Sequence, residues 1–379
     1  MPRDILDVPL RQSAPGTRRT VRMVRYGAAE ARPKAYIHAA LHADETPGIL
    51  VAHHLMRLLD AAEARGEIAG QVVLVPYANP IGLAQYVNGD QFGRHDLNSG
   101  ANFNRGWPDL FAPVAERVDG HLGGGAEANV DVIRKAMREV LDSRAPTREI
   151  DSLRLALARE ACDADFVLDL HCDDEGLMHL FLVPSLWPAA ADLAGELGCS
   201  AVMLADDTGG ATFAESFARP WSRLALSFPG YSIPQACFSA TVELRGFADV
   251  SDALAEGDAL ALFRELQRRG HVAGEPGSAP SAPCEATDFD ACDVVRAPFA
   301  GVVSYRVELG QHVERGEAIA DLLDPAAGEA STARRAIHAD TDGLVLSRRL
   351  RKLVSAGEVI AKIVGKESLT HRQGYLLED

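Results

Sequence analysis

Apolar residues in the first 270 positions gather into short runs that stop abruptly at polar or ionisable residues, with helix-length stretches between them. Runs at 34–41, 71–76, 166–170, 180–183, Ala201–Leu204 and 239–244 read as strands. Segments 47–65, 126–159 (broken near Pro146) and 252–269 read as helices, the first through its stripe Leu50, Leu55, Leu58 and Leu59. Pro47 suits the first helical turn, where a missing N–H leaves no bond unmade. Short apolar strands bounded by helices are buried on both faces. The expected fold is therefore α/β, with a mixed, mostly parallel sheet flanked by helices.

At 379 residues the chain accommodates one large domain and a smaller one. Residues 86–125 lack periodicity and are rich in Gly, Asn and Pro, as functional loops are. Residues 274–283 form a linker by composition. Beyond it come short β segments with an internal repeat: Ala297-Pro-Phe-Ala-Gly-Val-Val resembles Ala339-Asp-Thr-Asp-Gly-Leu-Val, and Gly316-Glu-Ala-Ile resembles Gly357-Glu-Val-Ile. This all-β region is similar to the hammerhead of biotinyl and lipoyl carrier domains. Carriers need a lysine on the hairpin between the halves, and none occurs between Gly316 and Lys352. A structural or substrate-gating module is expected instead. The expected divisions are a catalytic domain at 1–272, a linker at 273–293, a β-sandwich at 294–366 and a tail at 367–379.

Two strands end in metal-binding side chains. His42-Ala-Asp-Glu45 follows the first, and Phe166-Val-Leu-Asp-Leu-His171 closes another. Three ligands from two strand ends suit the half-open zinc site of a hydrolase, which keeps a place for water and lowers its pKa toward ~7. On the residues alone, His42 could instead cap the helix at Pro47, and His171 could be a satisfied buried histidine. Glu243 lies inside the apolar run Ala240-Thr-Val-Glu-Leu, where a carboxylate must be paired or functional, and is the candidate general base. Arg245, two residues on, either salt-bridges Glu243 or adds a charge for substrate. Arg94 and the run Asn102-Phe-Asn104-Arg105-Gly-Trp-Pro offer guanidinium and amide donors matched to a carboxylate. Asp169 is a candidate support for His171, and Asp44 a helix N-terminal charge. His38 lies a full ~13 Å back along an ideal strand from His42 and is expected to be structural, as are His53, His54, His95, His121 and His179.

A net charge of −16 argues against nucleic acid or an anionic membrane as partner. No run approaches the ~20 apolar residues of a membrane span. The N-terminus has no signal-peptide core, and the six cysteines include no Cys-x-x-Cys pair. A cytoplasmic location with reduced thiols is expected.

In chain order, Leu41-His42-Ala-Asp-Glu45-Thr-Pro-Gly48, Asn79-Pro80, Gly93-Arg94, Asn102-Phe-Asn104-Arg105, Asp169-Leu-His171 and Thr241-Val-Glu243-Leu resemble motifs of the succinylglutamate desuccinylase/aspartoacylase family. That family is a branch of the zinc carboxypeptidase-like fold. The resemblance implies one Zn2+ per chain on His42, Glu45 and His171, with Glu243 as base and acid. It also implies Arg94 at the scissile carbonyl or oxyanion, and Asn104 and Arg105 at the substrate carboxylate. Two positions depart from the family: Ala43 and Arg245 each replace a glycine, and Arg245 would bring extra positive charge near the substrate. The implied reaction is hydrolysis of the amide bond of a small N-acyl amino acid, giving a free amino acid and a carboxylate. Homo-oligomeric assembly is expected. The alternatives are a metallocarboxypeptidase acting on peptides and an inactive metal-binding scaffold.

Overall fold

The computed structural model describes residues 3–377; Met1 and Pro2 of the expected first domain, and Glu378 and Asp379 of the expected tail, lie outside the described residues. Nine strands form one sheet in the spatial order Asp4–Pro9, Thr20–Tyr26, Gln71–Val75, Lys34–Ala39, Phe166–Asp173, Phe238–Gly246, His179–Leu182, Ala201–Leu204 and Ala286–Asp288. The third to sixth of these run parallel to one another, and so do the last three. Antiparallel pairing occurs at the first two joints and between Phe238–Gly246 and His179–Leu182. The sheet is mixed and mostly parallel.

Both of its faces are covered. Ile37, Ala39, Leu168 and Leu170 pack with the helices Pro47–Ala64 and Asp252–Arg268 in one core. Tyr36, Val73 and Val167 join the other core, with Ile133, Leu153 and Trp221 from the helices Ala126–Asp142, Glu149–Ala161 and Phe213–Ser227. Double burial is why the strands read as unbroken apolar runs. The sequence pattern does not disclose the hairpin Asp4–Pro9 with Thr20–Tyr26, whose outer strand is largely exposed. Nor does it disclose the helix Phe213–Ser227, where Pro220 interrupts the pattern. The available signal there was the Thr212/Glu215 capping box.

The remainder is all β. Cys292–Arg296, Val359–Val364, Gly343–Arg348 and His312–Val313 form one sheet; Arg334–His338, Ala318–Leu323, Gly301–Tyr305 and Leu353–Val354 form another. Val303, Ile319, Leu322, Val345 and Ile363 form a core of their own. The repeat halves interlock, because Gly301–Tyr305 pairs with Leu353–Val354 and His312–Val313 with Gly343–Arg348. Within residues 273–293, Ala286–Asp288 adds the edge strand beside Ala201–Leu204.

The small sheets are also tied to the large one. Glu175–Gly176, just past the His171 strand, pairs antiparallel with Gly343–Arg348. Lys362 Nζ donates to Asp173 Oδ2 at 2.6 Å, and Lys352 Nζ to Glu175 Oε1 at 2.7 Å. Among the described residues no helix is long and apolar enough to cross a membrane.

Candidate metal and catalytic site

The strand Lys34–Ala39 ends at Ala40, whose φ of 57° turns the chain toward His42. That left-handed conformation costs a non-glycine residue about 1 kcal/mol. The turn is held from below, where Ala43 N–H donates to Gly93 O at 3.0 Å. A Cβ on Gly93 would lie 2.1 Å from Asp44 N, so only glycine allows this approach. Gly93→Ala is accordingly expected to push the His42–Glu45 turn aside and weaken metal binding about tenfold or more, as read by metal titration. Ala43 itself keeps an ordinary backbone angle, so replacing the family's glycine there brings no strain.

His42, Glu45 and His171 converge, with their ligand atoms within 4.8 Å of one another and all three residues buried. Glu45 Oε1 lies 2.8 Å from His42 Nδ1, and Oε2 lies 2.6 Å from His171 Nδ1. The opposite ring nitrogens face acceptors: His42 Nε2 is 2.9 Å from Asn102 Oδ1, and His171 Nε2 is 2.8 Å from Asp169 Oδ1. If each Nε2–H donates outward, both Nδ1 lone pairs point at a carboxylate. A cation between them would satisfy all three groups.

Proton energetics agree. Burial, then Arg94, holds His42 down at about 4, a neutral imidazole. Burial also works against a charged His171, but the Asp169 and Glu45 carboxylates outweigh it and raise its pKa well above the usual value. Burial disfavours ionised Glu45, yet the two histidines carry it well below the normal carboxylate range. The place calls for a positive charge, either a proton or a divalent ion. Two imidazole nitrogens and a carboxylate are a donor set that fits zinc.

Behind the ligands lies a chain of fully buried groups. Asp169 Oδ1 accepts from His38 Nε2 at 2.6 Å, and Tyr36 OH lies 3.0 Å from His38 Nδ1. His38 is thus no ligand, but it orders the carboxylate that orients His171. Asn102 plays the same part for His42. Neither role was visible in the sequence, because both depend on which strand or loop lies alongside.

Asn104 sits beside the ligands. Its Nδ2 donates to Asp169 Oδ2 at 3.2 Å and lies 3.0 Å from His171 Nε2, while its Oδ1 accepts the Phe213 N–H at 2.8 Å. Both ends of the amide hold the site together, and Asn104 also lines the cavity. Arg94 lines the cavity with Nη1 3.2 Å from Glu45 Oε1 and 3.3 Å from His42 Nδ1. Arg105 lines it too, its Nη1 donating to Asn104 O at 2.9 Å and its Nε to Tyr375 OH at 3.0 Å. Asp44 is no simple helix charge; it borders the same cavity, and burial raises its pKa.

Glu243 stands opposite His171 in the parallel ladder and opposite His179 on the other side. Its buried Oε2 has no hydrogen-bond partner among the described residues. Burial pushes its pKa up to about 8, with Glu45 and Asp173 adding to the rise and His171 and Lys362 opposing it. Arg245 does not relieve it. A bulge separates Glu243 from Gly246, Arg245 takes φ 66° within it, and both Nη atoms pair with Asp258 of the helix Asp252–Arg268. Arg245 is absent from the cavity lining, so the substrate-binding role expected of it is corrected to a structural one. Arg245→Ala is expected to cost about 2 kcal/mol by stranding the buried Asp258 carboxylate, with the KM of a carboxylated substrate unchanged. Denaturant titration and steady-state kinetics read the two effects.

The cavity measures about 560 Å3. His42, Glu45, His171 and Glu243 line it, and Arg349, Leu350, Arg351 and Lys362 bring the all-β region to it. Such a volume holds a small molecule.

Residues 31–228 match the model of the succinylglutamate desuccinylase/aspartoacylase catalytic domain. No curated protein matches the chain significantly. Among solved structures, a succinylglutamate desuccinylase/aspartoacylase protein from Shewanella frigidimarina is similar with a TM-score of 0.82 at 23% identity, over 96% of each chain. One from Shewanella amazonensis gives 0.80 at 23% identity, over 96% of this chain and 98% of that one. The product-bound ectoine utilization protein EutE from Ruegeria pomeroyi gives 0.64 at 17% identity, over 96% and 95%. At these identities the structures speak for the fold, which extends through the all-β region. The match of the catalytic-domain model over more than half of the sequence shows that the chain belongs to the succinylglutamate desuccinylase/aspartoacylase family.

Proposed function

We propose that the protein is a zinc-dependent amidohydrolase that splits a small N-acyl amino acid into a free amino acid and a carboxylate. The observation that carries this reading is Glu243, a buried carboxylate with an unpaired oxygen and a pKa pushed up to about 8, set across the ladder from His171. A site built only to hold an ion needs no such group. His42, Glu45 and His171 would hold one Zn2+, which when bound supplies Lewis acidity to the scissile carbonyl and acidifies water. Glu243 takes a proton from water and returns it to the leaving amine. Arg94 offers N–H donors where oxyanion charge develops, and Arg105 binds the substrate carboxylate. Asn104, Asn102, Asp169 and His38 orient the ligands.

We read residues 1–272 as the catalytic domain and 294–366 as a hammerhead-like β-sandwich that narrows the entrance, joined by 273–293 and followed by a tail at 367–379. That narrowing favours small substrates over a peptide-length groove. The six free thiols suit a reducing cytoplasm. The test is a panel of N-acetyl and N-succinyl amino acids, each with a free and an amide-capped carboxylate, incubated with zinc-loaded protein while released amine is measured. Turnover of free-carboxylate members supports the reading. Cleavage of peptides alone would replace it with the peptidase alternative.

A further inference from the structure

One side of the strand Phe238–Gly246 joins no core. Ala240, Val242 and Leu244 pack with the helices Pro47–Ala64 and Asp252–Arg268, so alternation turns Ser239, Thr241 and Glu243 to the other face of the sheet. Apolar packing on that face is divided. Val167 and Phe213 belong to one cluster and Met203 and Phe289 to another. The strand lies between those that carry Val167 and Met203, and Ser239, Thr241 and Glu243 line the furrow left there. The cavity therefore follows the strand from the candidate base back to Ser239, ~13 Å at 3.3 Å per residue.

The far end of this furrow is polar and unpaired. Ser239 is 1% exposed and Thr208 5%, both line the cavity, and neither hydroxyl has a hydrogen-bond partner among the described residues. A buried hydroxyl left so is costly, and a bound polar group removes that cost. Thr208 comes from a segment that begins level with Ser239, since Ala205 N–H donates to Leu182 O and Leu182 pairs with Ala240. The lysines and arginines that line the cavity come from other segments, the 94–105 loop and the all-β region. Beside Thr208 stands a carboxylate instead: Glu215 accepts the Thr208 and Thr212 N–H groups at 2.8 and 3.0 Å.

We propose that this furrow is the subsite for the side chain of the substrate's amino-acid half, and that it takes a neutral carboxamide such as glutamine's in preference to a carboxylate. The inference rests on the amidohydrolase reading, in which Arg105 engages the carboxylate of that same half. Gly210, two residues from Thr208, packs against Arg105, where a Cβ would lie 2.9 Å from the arginine Cδ. A hydroxyl both donates and accepts, so Ser239 and Thr208 match the oxygen and the NH2 of an amide. An acidic side chain would surrender its hydration facing Glu215, while Arg105 is engaged by the other carboxylate.

The experiment uses the full-length, zinc-loaded chain with N-acetylglutamine, N-acetylglutamate and N-acetylnorvaline, an acid and an apolar reference of similar length. The kcat/KM for N-acetylglutamine is expected to exceed that for N-acetylglutamate about tenfold or more. Ser239→Ala removes an unpaired buried hydroxyl and so spares the fold. It is expected to lower the glutamine-over-norvaline ratio about fivefold, the value of one hydrogen bond, and Thr208→Val to do the same. A second measurement needs no turnover: calorimetry is expected to show L-glutamine binding about tenfold more tightly than L-glutamate, two ligands with the same α-carboxylate. A site that prefers or equates the acid overturns the inference. So does a ratio unchanged in both variants, which would mean that the hydroxyls hold water only. Should the protein cleave no N-acyl amino acid, the functional reading fails and calorimetry alone decides the subsite: tighter glutamine upholds it, and equal or absent binding overturns it.

Discussion

Replacing Glu243 by glutamine is expected to lower kcat about 10²–10⁴-fold while zinc content and fold are retained. The amide fills the same space but cannot accept the proton of water or return it to the amine. KM should change little, because the group acts on the reacting atoms rather than on the carboxylate anchor. Stability should move the other way. In the folded metal-free protein Glu243 titrates at about 8 against its usual 4.5, so the native state binds a proton that the unfolded chain has released. The stabilising contribution of the protonated form is complete below pH 4.5 and is lost as pH rises through 8. Glutamine carries no such penalty. Metal-free Glu243→Gln is therefore expected to be more stable than the wild-type protein at pH 8 by about 1–2 kcal/mol, with the difference vanishing near pH 4. Single-turnover kinetics and urea titration at the two pH values check this, and an active variant would remove Glu243 from the mechanism.

His171→Ala is expected to abolish stoichiometric zinc binding, taking out one of three ligands together with the proton-holding partner of Glu45. In the wild-type protein, zinc at a thousandfold excess over Kd should stabilise the fold by about 4 kcal/mol, and a chelator should reverse the gain. In the variant neither addition should move Tm. The pH dependence follows from the same pair. His171 is raised well above the ordinary imidazole value, so the metal must displace a proton and its affinity falls as pH falls. Calorimetry in buffers of different ionisation enthalpy reads the released proton directly. A His171→Ala protein with wild-type zinc affinity would dissolve the proposed centre.

Much of this architecture could be read before any coordinates. Apolar runs between helices announced a doubly covered sheet, and side chains that end strands announced where chemistry gathers. That His42, Glu45 and His171 gather at one place needed only the rule that parallel strand ends meet. What stayed hidden required knowledge of neighbours. His38 lies opposite Asp169 in the ladder, and nothing in a list of residues says that those two strands are adjacent. Arg245 shared a face with Glu243 only on an ideal strand, and a bulge sent it to Asp258 instead. Asn104 had the chemistry of a substrate donor, and nothing in its motif showed that the same amide also reaches Asp169 and Phe213. The helix holding Phe213 and Trp221 was obscured by Pro220, whose effect on an apolar pattern resembles a loop.

The short strand Glu175–Gly176 sits a few residues beyond His171 yet belongs to a sheet whose other members all come from beyond residue 290. Protease nicking between residues 273 and 293 would therefore leave two fragments that stay associated, whereas the first fragment produced alone would carry a raw sheet edge close to His171. Attempts to trim this protein to a minimal hydrolase should fail at that seam.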